Sequence, residues 1–155
     1  MNPIIFLDFY KTFASIAGAS LPAVELDGID LSPYMSDSTL TMDRPIFGHL
    51  PGYLLKDGGL RDQRPATWIR YGDWKYYHNY EQQDTNGHEL YDVVNDPGET
   101  VNEYSTDLEF TRFLQDKMRC WLTETGAPYA TLRNGSLNYQ ATYDAGEAVR
   151  MFTDK

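Results

Sequence analysis

The amino-acid sequence predicts an α+β protein: a small antiparallel sheet of three to four strands packed by a C-terminal helix, preceded by an N-terminal helix and loops. Three stretches carry that prediction. Alternating runs on either side of Gly72-Asp73, from Thr67 to Tyr80, match a two-residue hairpin, because Gly accepts a positive φ at the first central position. "HELYDVV" supplies a further strand, closed by the turn residues of "NDPGET". Phe110, Phe113, Leu114, Lys117, Met118, Trp121 and Leu122 recur at helical spacing and so predict an amphipathic helix.

Taken in order, "IIFLDFYKTFASIAGASLP" reads as a short strand running into a helix over 9–17, with Asp8 as N-cap and Gly18 as its stop. Phe9, Phe13, Ile16 and Ala17 share one face, so this helix requires a partner surface. Residues 20–45 are dense in Pro, Ser, Asp and Gly and predict a loop with one helical turn near Leu31 to Met35. "PIFGHL" makes a brief strand bracketed by Pro45 and Pro51, and "LLKDGGLRDQRP" a loop. In the hairpin, Thr67, Ile69 and Tyr71 lie opposite Trp68 and Arg70. Trp74, Tyr76, His78 and Tyr80 share the other strand's face, opposite Lys75, Tyr77 and Asn79. The rings between Trp68 and Tyr80 are predicted to fill a core against the last helix. Thr106 with Glu109 predicts a capping box for that helix, and Gly126 and Pro128 its end. Residues 129–155 read as an irregular tail.

A chain of 155 residues can bury a core without metal or disulfide staples. Thirteen Lys and Arg against 23 Asp and Glu give a formal charge of −10, which repels nucleic-acid phosphates and anionic lipid surfaces. Neither is expected as a partner. "IIFL" is too short for a signal-peptide core or a membrane span, so the chain shows no targeting segment and assigns no localisation. Cys120, the single cysteine, has no partner for an internal disulfide. Asn134 heads a formal N-glycosylation tripeptide, "NGS".

Six segments in order, "DFYKTFASIAGASLP", "LDGIDLSPYM", "RPIFGHLPGYL", "IRYGDWKYYHNYE", "ELYDVVNDPGETVNEY" and the helix ending "WLTETGAP", resemble the C-terminal third of the sulfatase family within the alkaline-phosphatase superfamily. The match covers residues 4–128. It implies that 1–55 resembles the end of the sulfatase catalytic domain, its helix and strand belonging to the edge of that α/β unit. Residues 56–128 would be the C-terminal subdomain and 129–155 the tail. The implied parent activity is sulfuric ester hydrolysis with a formylglycine nucleophile and a divalent cation such as calcium. The formylglycine motif needs Arg four positions after its Cys or Ser, yet Cys120 is followed by "WLTE", Ser15 by "IAGA" and Ser20 by "LPAV". No Asp-Asp, Asp-Asn or Asp-His dipeptide occurs either. The expectation is therefore no catalytic residue, no metal and no cofactor in this chain, and no catalysis by it alone.

His49, followed by Leu50 and Pro51, matches a family position at the pocket mouth, which implies substrate contact through a titratable imidazole. Its competing role is to cap a strand end. Tyr53 and Arg61 are placed by the resemblance on the same rim. His78 and His88 read as a pair at a solvent edge, too few ligands for zinc. Asp92, Asn95, Asp96 and Glu99 depart from the calcium-loop spacing and read as a structural turn, and Lys75 as an exposed strand residue. Without a catalytic domain, the apolar faces of 4–17 and 45–55 would be uncovered, so a homo-oligomer through them is expected. The alternative is a stand-alone carbohydrate- or protein-binding module.

Overall fold

The computed structural model describes residues 2–52, 65–80 and 87–128, with the backbone of 55–56 and 59–60. The tail over 129–155, Asn134 included, and Tyr53 and Arg61 lie outside the described residues. The elements are α1 (Asp8–Ala17), α2 (Ser32–Ser36), β1 (Pro45–Leu50), β2 (Leu55–Lys56), β3 (Gly59–Leu60), β4 (Ala66–Tyr71), β5 (Trp74–Asn79), β6 (His88–Asp92) and α3 (Leu108–Glu124).

Gly72 adopts a φ of 59°, so β4 turns straight back into β5 with Tyr71 opposite Trp74. Antiparallel pairing extends on both sides to a four-stranded sheet of order β1-β4-β5-β6. The resemblance assigned β1 to the edge of a catalytic domain; here it pairs with β4 along its whole length, from Pro45 opposite Tyr71 to Leu50 opposite Ala66. The segment read as a loop after β1 contains a small separate ladder, Leu55 opposite Leu60.

Alternation along each strand then sorts the side chains. Ile69, Tyr76 and Leu90 from the sheet meet Leu114, Met118 and Leu122 from α3, forming the core that the two periodicities predict. Phe47 stacks on Trp121 with ring centroids 4.7 Å apart, and Trp74 meets Phe110 edge-on. Each such aliphatic or aromatic side chain, once buried, contributes about 1.5–3 kcal/mol relative to exposure. The ring cluster around the hairpin is thus largely core.

α3 begins one residue later than the expected capping box requires. Asp107 is its N-cap, accepting from the Phe110 amide at 2.9 Å, while the Thr106 hydroxyl donates back to the Glu103 carbonyl. The outer edge of β6 is met by the Asn102 side chain and the Glu103 backbone amide. The Leu90 amide donates to Asn102 Oδ1, Asn102 Nδ2 donates to the His88 carbonyl, and the Glu103 amide reaches the Leu90 carbonyl at 2.8 Å.

On the sheet's other face, Trp68 lies over Gly48, where an added Cβ would meet the indole at 2.2 Å. Lys75, expected to be exposed, is instead largely covered. Its ammonium sits over the Trp68 and Tyr77 rings and pairs with Glu99 at 2.9 Å. Burial alone would lower its pKa, but the hydrogen bonds and charge of Glu99 and Tyr77 outweigh that and raise it.

α1 is the element whose packing least resembles the sequence expectation. Asp8 does not cap it; the cap position is Leu7, and Asp8 lies in the first turn, fully buried. Its carboxylate accepts from the Ile5 and Ile29 amides and from both terminal nitrogens of Arg44. The helix therefore buries a polar face, Asp8 and Thr12, and exposes the apolar one. Gly18, with φ 64°, ends it as expected.

Candidate functional site

His49 is the last but one residue of β1, and register sets Thr67 of β4 directly opposite it on the core face. His49 Nδ1 lies 2.7 Å from Thr67 Oγ1, and His49 Nε2 lies 2.7 Å from the Pro128 carbonyl oxygen beyond the end of α3. Thr67 Oγ1 is in turn hydrogen-bonded to the Tyr80 hydroxyl. Thr67 and Tyr80 are both completely buried, whereas the imidazole is only partly so. Tyr80 and Trp121 flank the His49 ring edge-on, each with centroids 6.4 Å away. Both ring nitrogens are occupied, which suits a strand-end brace as well as a ligand contact. Thr67, Tyr80 and Pro128 were missed in the sequence; the signal for Thr67 was the pairing of two strands whose register the sequence leaves open.

His78 and His88 do face each other, with centroids 4.7 Å apart, but they are buried and do not form the expected solvent edge. His88 stacks between Tyr76 and Tyr104. The Tyr76 hydroxyl accepts from Gln115 Nε2 and shares a hydrogen bond with His88 Nδ1 at 2.6 Å. Burial, with the charge of Arg119 second, pushes the His88 pKa down to about 4, so the imidazole is neutral at physiological pH.

The acidic turn is a structural one. Asp92 accepts from the Val94 and Asn95 amides and from the Asn95 carboxamide; Asp96 accepts from the Thr100 and Val101 amides and the Thr100 hydroxyl. Those hydrogen bonds hold both carboxyls below their ordinary pKa, and Glu99 is committed to Lys75. Among the described residues no group of three or more His, Cys, Asp or Glu could hold a metal ion. What the His49 arrangement offers is an imidazole clamped at both nitrogens, its inner one on a buried threonine hydroxyl and its outer one on a backbone carbonyl.

No family model matches the chain. Among curated proteins it is similar to a sulfatase of Formosa agariphila, 30% identical over an alignment of 133 positions that covers 79% of this chain and 23% of that one. Arylsulfatase K of Canis lupus familiaris is 30% identical over 118 residues, 76% of this chain and 22% of that protein. The chain thus spans under a quarter of the length of the curated relatives it matches. Among solved structures, a candidate sulfatase from Bacteroides thetaiotaomicron matches with a TM-score of 0.52 and 27% identity, over 77% of this chain and 25% of that one. Ps i-CgsB, solved with k-i-k-neocarrahexaose, shares the fold with a TM-score of 0.59 at 22% identity, over 99% of this chain and 32% of that one.

Proposed function

This chain is a sulfatase-like segment corresponding to the C-terminal part of that family, and on that premise we propose that it serves a sulfuric ester hydrolase scaffold without hydrolysing sulfate esters by itself. The observation that supports this reading is a His49 hydrogen-bonding group set beside a sequence in which Cys120, Ser15 and Ser20 all lack the formylglycine context. Catalysis in the family's manner requires a covalent nucleophile and a cation to polarise the sulfate, and those elements supply most of the rate. The purified chain, assayed with an aryl sulfate and calcium, is expected to match both the blank and a His49→Ala variant. Turnover above both would overturn the reading.

In this reading the aromatic face of α1 is a contact surface. Phe6, Phe9, Tyr10 and Phe13 line a groove closed by Leu26 and Gly28, and Phe9 stacks on Phe13 at 5.7 Å. For the chain on its own, the exposed apolar face within residues 4–17 is the homodimer contact, since an apolar stripe of this kind recruits another surface; the expected share of 45–55 falls away, because β1 is paired with β4 and Phe47 is stacked on Trp121.

A second reading is a binding module for neutral or cationic glycans. Trp68, Tyr77 and Tyr91 on the face away from α3 favour it, as sugar rings stack on such groups. Lys75 already covers the first two rings, which weighs against it. A glycan array separates the readings: a blank array removes the module.

A further inference from the structure

We propose that Thr67 and Tyr80 are positioning residues that hold His49 as its Nε2–H tautomer, so that the outer end of the imidazole is a donor reserved for an acceptor oxygen. The argument runs through hydrogen counting. The Pro128 carbonyl can only accept, so its 2.7 Å contact places a hydrogen on His49 Nε2. In the neutral ring Nδ1 is then an acceptor, and the one hydrogen of Thr67 Oγ1 is spent on it at 2.7 Å. Thr67 must consequently accept from Tyr80, whose own hydroxyl is 3.5 Å from Nδ1, too far to replace it. The opposite tautomer would set the Nε2 lone pair against the carbonyl oxygen. It would also reverse both hydroxyls in a pocket where Thr67 and Tyr80 have no exposure to water.

The same geometry says what the site prefers. The ring cannot rotate freely, being braced edge-on by Tyr80 and Trp121. Its Nε2–H faces the least buried part of the arrangement, where a neutral backbone carbonyl just after α3 is the present acceptor. An anionic oxygen makes a stronger, charge-assisted hydrogen bond than a carbonyl does, and would displace Pro128 from that position. The preference is for an anionic oxygen as such, and the placement of the proton does not depend on it.

The test uses the full chain and nitrogen-15 correlation spectra of the histidine side chains, at a pH well above the ordinary imidazole pKa of about 6.5. The wild type is expected to show His49 as a single Nε2–H tautomer with Nδ1 at the shift of a hydrogen-bonded acceptor. Thr67→Val should move Nδ1 to the shift of an unbonded lone pair while the near-UV circular dichroism keeps its shape. Tyr80→Phe should move it by a smaller amount in the same direction. An Nδ1–H tautomer in the wild type, or an Nδ1 shift indifferent to Thr67→Val, would overturn the positioning role whatever the hydrolysis assay shows. Adding inorganic phosphate should then perturb Nε2 and its proton more than Nδ1, and an unperturbed Nε2 would overturn the preference for an anionic oxygen alone.

Discussion

The imidazoles of His78 and His88 meet across β5 and β6 with their centroids 4.7 Å apart, in the layer between the sheet and α3. Tyr76 and Tyr104 stack on the two sides of the His88 ring, and the charge of Arg119 adds to burial in opposing a proton there.

Stability should therefore fall in acid through His88. Its folded pKa is about 4, below the ordinary 6.5, so between those values the unfolded chain binds a proton that the folded chain refuses. The contribution is intact above about 6.5 and is lost as pH falls towards 4, on the order of 3 kcal/mol across the window. Urea denaturation at a series of pH values measures it. His88→Gln should flatten that slope, and an unchanged slope would assign the acid sensitivity elsewhere.

Gly48 is fixed by Trp68 rather than by backbone conformation. A methyl group at this position would begin 2.2 Å from the indole, so Gly48→Ala must push the ring off β1. The expected cost is about 1–3 kcal/mol. A red shift of tryptophan emission should accompany it, and Trp68→Ala in the same background should make the Gly48→Ala cost largely disappear.

Asp8 joins three separate stretches of chain: its own helix turn, Ile29, and Arg44 just before β1. Burial would raise its pKa, but the Arg44 guanidinium and the two backbone amides outweigh burial and hold the carboxyl below the ordinary value. Asp8→Asn should loosen the segment before β1, leaving Arg44 partly buried without its counter-charge, at about 3 kcal/mol. Hydrogen exchange should quicken at the Ile29 and Leu31 amides while the amide of Leu90 stays protected.

Phe9 and Phe13 contribute little to the fold of the single chain, being 38% and 64% exposed. Phe9→Ser with Phe13→Ser should leave the thermal midpoint nearly unchanged. If the α1 face joins two copies, light scattering should report a dimer for the wild type and a monomer for this double variant. A monomeric wild type at high concentration would remove that contact.

The parts of this fold legible in the sequence are those set by short-range rules. The hairpin followed from a glycine at a position needing positive φ, and α3 from a stripe repeating every three to four residues. The misses share a different cause. Asp8 has the residue type and place of an N-cap, but its partner Arg44 is 36 positions away, and nothing local announces that charge. The shift from Thr106 to Asp107 at the start of α3 turned on two adjacent residues, both competent to cap. His78 and His88 were paired correctly but set at the surface, because the depth of an edge strand depends on what folds over it, here Tyr104 and the Asn102 closure. At the site, the resemblance singled out His49, while its buried hydroxyl partners became visible only once β1 and β4 were in register.

The Asn102 carboxamide gives the sheet a direction. By presenting one acceptor and one donor at strand spacing, it imitates a fifth strand with a single side chain and ends the ladder at β6. Exchanging it for aspartate would replace the donor by an anion facing the His88 carbonyl, so the terminus of the ladder would become repulsive where it is now satisfied. The outer groups of β6 at His88 and Leu90 are thus satisfied by an amide plane and the next backbone N–H, with no further strand.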